Sequence, residues 1–242
     1  MNVLVVGAGA MGRWFARTVR DAAAVAFTDT DPASARAAAD AVDGRAVPTD
    51  TDEAFDVVCI AVPMPAARVA IEQYGPLATE AVVDVTGSMR DPVAAMREAA
   101  PDAARMSLHP LFAPDNAPGN VAVVTDSGDE TTDALLDVLR EAGCDCFETT
   151  PAEHDEAMQT VQAGAHTAIL AFALAADSVP DEFQTPVSQG LYDLVEQVTG
   201  GDPHVYADIQ RAFDGAEPVA DAAGRIADAD YEEFQRLYDA LS

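Results

Sequence analysis

Asn2-Val3-Leu4-Val5-Val6-Gly7-Ala8-Gly9-Ala10-Met11-Gly12 decides the reading of this chain. Its apolar run suits a short strand buried on both faces. Three glycines at GxGxxG spacing follow at once, and Met11–Ala22 continues with helical spacing. Strand, glycine-rich turn and helix in that order form the context a dinucleotide-binding turn requires. Gly7 suits the tight turn, Gly9 lets backbone approach a pyrophosphate, and Gly12 lets the helix pack close to the strand. Ala10 and Met11 begin the helix, whose first N–H groups attract phosphate. Asp29 follows a second apolar run, Ala24–Thr28, seventeen residues beyond Gly12. A carboxylate there accepts hydrogen bonds from ribose hydroxyls and repels a 2′-phosphate, so NAD is expected rather than NADP. Asp31, two residues on, reads equally as a helix N-cap.

Working outward, further short apolar runs alternate with helical stretches. Candidate strands are Val57–Ala61, Ala81–Val85, Arg105–Leu108, Asn120–Val124 and Cys144–Glu148. The alternation predicts an α/β fold: an N-terminal Rossmann-type, doubly wound parallel sheet over residues 1–150. Ligands of such sheets bind outside the carboxyl ends of the strands. After Pro151 the strand pattern stops, and helices are expected over 151–177, 184–199, 203–214 and 217–240. Residues 151–242 therefore read as a smaller all-α C-terminal domain. Val161–Ala176 is apolar nearly all round and must be covered on every side. A homodimer through the C-terminal helices is the expected cover.

Charge narrows the partners. The 242 residues carry 42 acids and 13 bases, for a net −29, and every base is Arg. Residues 1–150 hold 10 Arg and 24 acids; residues 151–242 hold 3 Arg and 18 acids. No basic patch can outvote this field, which excludes nonspecific binding to nucleic acid or anionic membranes. A Lys-free, Asp-rich composition resembles that of proteins from extreme halophiles, whose self-repulsion salt screens. No basic and apolar leader precedes Val3, and Ala163–Ala176 is too short to span a bilayer, so a cytoplasmic location is expected. Cys59, Cys144 and Cys146 read as buried small hydrophobes, and no metal site is expected.

Four histidines are available for chemistry: His109, His154, His166 and His204. His109, in Ser107-Leu108-His109-Pro110-Leu111-Phe112-Ala113-Pro114-Asp115, follows a candidate strand and falls at the sheet's carboxyl edge. Ser88, in Asp84-Val85-Thr86-Gly87-Ser88-Met89-Arg90, follows the preceding strand toward the same crevice. His154 and His166 lie twelve residues apart, about 120° around a regular helix. One of them is expected at the site and the other at a helix start or domain contact.

Together, GxGxxG, the Ser88 loop, Leu108-His-Pro-Leu-Phe-Ala-Pro-Asp115, Glu153-His-Asp-Glu-Ala-Met-Gln-Thr-Val-Gln-Ala-Gly-Ala-His166 and Gly201-Asp-Pro-His-Val-Tyr-Ala-Asp-Ile209 resemble the prephenate dehydrogenases of tyrosine biosynthesis. The resemblance runs through nearly the whole length. It implies NAD-dependent oxidative decarboxylation of prephenate to 4-hydroxyphenylpyruvate. His109 would accept the C4 hydroxyl proton, with an imidazole pKa near the ordinary value suiting that transfer. Ser88 would hydrogen-bond the C4 oxygen or orient His109. His166 would help hold the substrate, Asp115 matches an acidic position beside the site, and His154 matches a structural one. The family's substrate-binding Arg is replaced by Gln197, which cannot reproduce a bidentate charged pairing. Arg90 or Arg211 could supply the missing charge. The alternatives are an arogenate or cyclohexadienyl dehydrogenase, another Rossmann dehydrogenase, and a non-catalytic NAD-binding sensor.

Overall fold

The computed structural model describes residues 1–241, the side chain of Asp181 apart. The chain divides into two compact units, Met1–Asp155 and a second beginning at Glu156.

The first unit is built on eight strands: β1 (Asn2–Val6), β2 (Ala24–Thr28), β3 (Arg45–Ala46), β4 (Phe55–Ile60), β5 (Ala78–Asp84), β6 (Ala104–Pro110), β7 (Asn120–Ser127) and β8 (Asp145–Glu148). They form one sheet in the order β3-β2-β1-β4-β5-β6-β7-β8. Helices α1 (Ala10–Val19), α2 (Pro32–Asp40), α3 (Met64–Tyr74), α4 (Arg90–Ala99) and α5 (Glu130–Glu141) connect them. Alternation along β1 shows why the strands are apolar runs. Val3 and Val5 join a core with Phe15 of α1 and Leu135 of α5. Leu4 and Val6 join another with Ile71 of α3 and Met96 of α4. Successive side chains point to opposite faces, and both faces are covered.

One strand departs from the all-parallel expectation: β7 runs antiparallel to β6. Only residues 111–119 separate them, with a single 3₁₀ turn at Pro114–Asn116. A parallel crossover needs a dozen or more residues, so this link permits only a hairpin. The strand Arg45–Ala46 is also additional to those read from the sequence.

The second unit is helical. Helix α6 (Pro151–Met158) leads from the first unit into a π-helical stretch at Gln159–Gly164, then α7 (Ala165–Ala175). Helices α8 (Pro186–Thr199), α9 (Pro203–Ala212), α10 (Ala216–Asp228) and α11 (Tyr231–Asp239) follow. The expected helix over 217–240 is broken at Ala229, and the Asp230 side chain caps α11 by accepting from Glu233 N. The π stretch interrupts the regular helix on which the 120° separation of His154 and His166 was reckoned. Helix α7 has no buried residue despite its apolar sequence. Among the described residues, no helix is long and apolar enough to cross a membrane.

Candidate active site

Strands β1, β2, β4, β5 and β6 run parallel, so their carboxyl ends share one edge of the first unit. At the end of β1, Gly7 takes φ +103°, and a Cβ there would strike Ala61 O. A Cβ on Gly12 would strike Gly7 O. Turn and helix can therefore close only with glycine at both positions. Gly9 differs: nothing lies within 4 Å of where its Cβ would be. It is the N-cap of α1, and no side chain caps the helix or places an acid in its first turn. Helices α2 and α5 are capped by Asp31 and Asp129. The open space over Gly9 and the uncapped N–H groups at Ala10 and Met11 fit a dinucleotide pyrophosphate. Asp29 stands beside them at the end of β2. Its carboxylate accepts from Ala8 N at 2.7 Å and from Asp31 N at 2.8 Å, tying the strand end to the glycine turn. Asp31 caps α2 through Ala33 N and Ser34 N, leaving Asp29 as the carboxylate facing the turn.

His109 lies within β6 rather than after it, and is 7% exposed. Its Nδ1 is 2.8 Å from His154 Nε2. His154 Nδ1 is in turn 2.8 Å from Asp155 Oδ1. Asp155 can only accept, so the hydrogen bonds assign the tautomers in sequence. His154 donates from Nδ1 to Asp155 and accepts at Nε2. His109 then donates from Nδ1, which makes Nε2 its acceptor nitrogen. Asp155 also accepts from Met89 N at 3.0 Å and Arg90 N at 3.2 Å. Burial acts to raise its pKa, but these hydrogen bonds outweigh burial and hold it below the usual carboxylate range.

The sequence pointed to an ordinary imidazole pKa at His109, and the structure corrects this. Burial, helped by the neighbouring His154 and opposed by the charge of Asp155, pushes His109 down to about 3. The ring is therefore neutral throughout the physiological range. A ring so held is a weak proton acceptor on its own. A proton arriving at Nε2 lets Nδ1–H move toward His154, whose cation would sit against the Asp155 carboxylate.

Ser88 is half-buried in the turn between β5 and α4. Arg90 is committed within the first unit: it donates to Ala152 O at 3.2 Å and lies 3.9 Å from Asp155. Asp115 is exposed on the 3₁₀ turn that follows the His109 strand. His166 and Gln197 belong to the second unit. His166, on α7, meets Tyr206 of α9 edge-to-face at 4.9 Å, its Nδ1 is buried, and burial lowers its pKa. Gln197 is exposed on α8, and Arg211 is exposed in the last turn of α9.

The contact of His154 and Asp155 with His109 was not read from the sequence, where the resemblance gave His154 a structural position and Asp155 no role. The adjacent His-Asp pair was the available signal. Sequence reasoning also passed over Asp84 and Thr86, which lie at the end of β5 just before Ser88.

The family model described as "NADP oxidoreductase coenzyme F420-dependent" matches residues 2–88, the stretch from the glycine turn to Ser88. The 4-amino-4-deoxyprephenate dehydrogenase of Streptomyces pristinaespiralis is 34% identical, over 99% of this chain and 89% of that protein. A probable arogenate/prephenate dehydrogenase of Methanocaldococcus jannaschii is 23% identical over 86% of this chain, which spans 50% of its length. Among solved structures, prephenate dehydrogenase of A. aeolicus with hydroxyphenyl propionate and NAD+ superposes with a TM-score of 0.75. It is 18% identical and covers 100% of this chain and 96% of its own. Synechocystis arogenate dehydrogenase gives 0.61 at 20% identity, over 99% and 97% of the two chains. These structures share the fold, and the Streptomyces relative carries the assignment: the chain belongs to the prephenate/arogenate dehydrogenase family.

Proposed function

We propose that this protein oxidatively decarboxylates prephenate with NAD, yielding 4-hydroxyphenylpyruvate, CO2 and NADH. The observation that carries the reading is the His109–His154–Asp155 relay at the carboxyl edge of the sheet. Gly7, Gly9, Ala10, Met11, Gly12 and Asp29 would hold NAD, which supplies the hydride acceptor when bound. His109 Nε2 accepts the C4 hydroxyl proton as hydride leaves C4. The resulting ketone is conjugated to C1 and draws electrons from the C1–carboxylate bond. Release of CO2 makes the ring aromatic and leaves a phenolate oxygen. His109 returns the proton to that oxygen, so the relay ends as it began. Ser88 would hydrogen-bond the C4 oxygen, and His166, Gln197 and Asp115 would meet the rest of the substrate.

A second reading has its own support. The Streptomyces relative is named for a substrate with an amine at C4, and it matches over 99% of this chain. A neutral acceptor nitrogen serves an amine proton as well as a hydroxyl proton. Assaying NADH formation with prephenate, arogenate and 4-amino-4-deoxyprephenate separately tests both readings. The highest kcat/KM with prephenate supports the first, and the highest with the 4-amino compound replaces it by the second. We propose further that two copies associate through the C-terminal helices, that the protein works at high salt, and that it resides in the cytoplasm.

A further inference from the structure

Asp84 is fully buried at the end of β5, where the chain turns toward Ser88. Its Oδ1 accepts from Thr86 N at 3.1 Å and lies 2.6 Å from Thr86 Oγ1. The same Thr86 Oγ1 lies 3.0 Å from Ser88 O. Thr86 is itself buried and has one hydroxyl hydrogen. If Asp84 is ionised, both of these neighbours can only accept, and the single hydrogen goes to the closer, charged one. If Asp84 carries a proton, it can donate to Thr86 Oγ1, and the Thr86 hydrogen passes on to Ser88 O. The far end of the turn is already fixed, because Asp155 accepts from Met89 N and Arg90 N. Ser88 therefore stands between two carboxylates, one on each side of its turn.

We propose that Asp84 is a positioning residue which, while it holds its proton, leaves the Thr86 hydroxyl hydrogen to Ser88 O and so locks the Ser88 turn. This rests on the proposed dehydrogenase reading, in which Ser88 meets the C4 oxygen. The surroundings favour two different protonation states. Burial raises Asp84 to about 7 against the hydrogen bonds of Thr86, and the charge of Asp155 adds to the rise. Asp155 is held below the usual range. Cys59, on the neighbouring β4, pairs with Val83 and so points to the opposite face of the sheet, and burial pushes its thiol far up. His154 and His109 lie beyond Asp155.

The test is the pH dependence of kcat in wild type, Asp84→Asn, Thr86→Val and Thr86→Ser. Wild-type kcat is expected to fall about tenfold or more from pH 6 to pH 9, as the turn loses its lock. In Asp84→Asn, neutral at every pH, the ratio of kcat at pH 6 to that at pH 9 approaches about one. Thr86→Val lowers kcat about tenfold at pH 6, NADH binding staying within about twofold, and Thr86→Ser restores it. A limb that persists in Asp84→Asn belongs to another group and overturns the proposal; so does wild-type kcat in Thr86→Val. If no cyclohexadiene substrate turns over, the functional reading fails, and backbone amide NMR still decides the role of Asp84. Gly87, Ser88 and Met89 signals should titrate near pH 7 in wild type and not in Asp84→Asn. Flat wild-type signals, or a titration surviving the substitution, would refute it. If Asp84→Asn does not fold, the Thr86 pair decides.

Discussion

His109 can act as an acceptor because the residues behind it settle which nitrogen carries a hydrogen. Asp155 orients His154, and His154 orients His109, through two contacts of 2.8 Å. His109→Asn should lower kcat about 10³-fold while leaving NADH affinity unchanged, as read by steady-state kinetics and fluorescence titration. The two perturbed groups have opposite effects on stability. The folded state resists protonating His109 until about pH 3, whereas an unfolded His takes a proton near 6.5. Stability from this group is thus lost as pH falls below about 6.5. Asp84 keeps its proton to about pH 7 when folded and loses it near 4 when unfolded. Its contribution is lost as pH rises from about 4 through about 7. Asp84→Asn should therefore gain on wild type by a few kcal/mol between pH 5 and pH 8, measured by denaturant unfolding. Gly7, Gly12 and His109 were legible in the sequence because short-range rules govern them: a positive φ, a close approach, a strand end. The relay was not, because it depends on where Pro151–Met158 begins against a strand 45 residues earlier.

At the scale of elements, apolar runs and helical spacing located seven of the eight strands of the first unit to within a few residues, the two-residue strand Arg45–Ala46 excepted. Strand direction at β7 was missed, although the nine-residue link before it was already too short for a crossover. The π-helical stretch Gln159–Gly164 was not read from the sequence, and neighbouring helices contact it closely. Gln210 of α9 donates to Ala163 O at 2.9 Å and accepts from Thr167 Oγ1 at 3.0 Å, bridging the stretch to α7. A Cβ on Gly215 would strike Gln159 O and Gly164 N, so α10 can begin there only with glycine. Gln210→Leu removes both hydrogen bonds and should cost about 1–3 kcal/mol, measured by urea unfolding. Unchanged stability would show that the π stretch holds itself.

For the whole molecule, composition and surface point the same way. Leu174, Phe183, Val187, Tyr231 and Tyr238 are each more than 60% exposed, and all lie in the second unit. Such apolar exposure on helices whose sequence demands cover supports a two-copy assembly. Light scattering in about 2–3 M KCl should give twice 25.3 kDa. A single-copy mass would leave the apolar face of α7 without the proposed cover. The net charge of −29 predicts that dilution to about 0.1 M salt lowers the melting temperature or unfolds the protein. An unchanged melting temperature would contradict this. Charge and apolar content were fully legible in the sequence. The sequence reading expects a second copy as the cover of the apolar helix, which the light-scattering measurement tests.

The most direct test of the proposed chemistry is the pre-steady-state yield of NADH from prephenate and NAD in about 2–3 M KCl, comparing wild type with His109→Asn. The relay predicts rapid NADH formation with stoichiometric CO2 in wild type, and formation slower by about 10³-fold in the variant, with the cofactor bound equally by both. Equal rates in the two proteins, or no NADH from folded wild type that binds the cofactor, would contradict it.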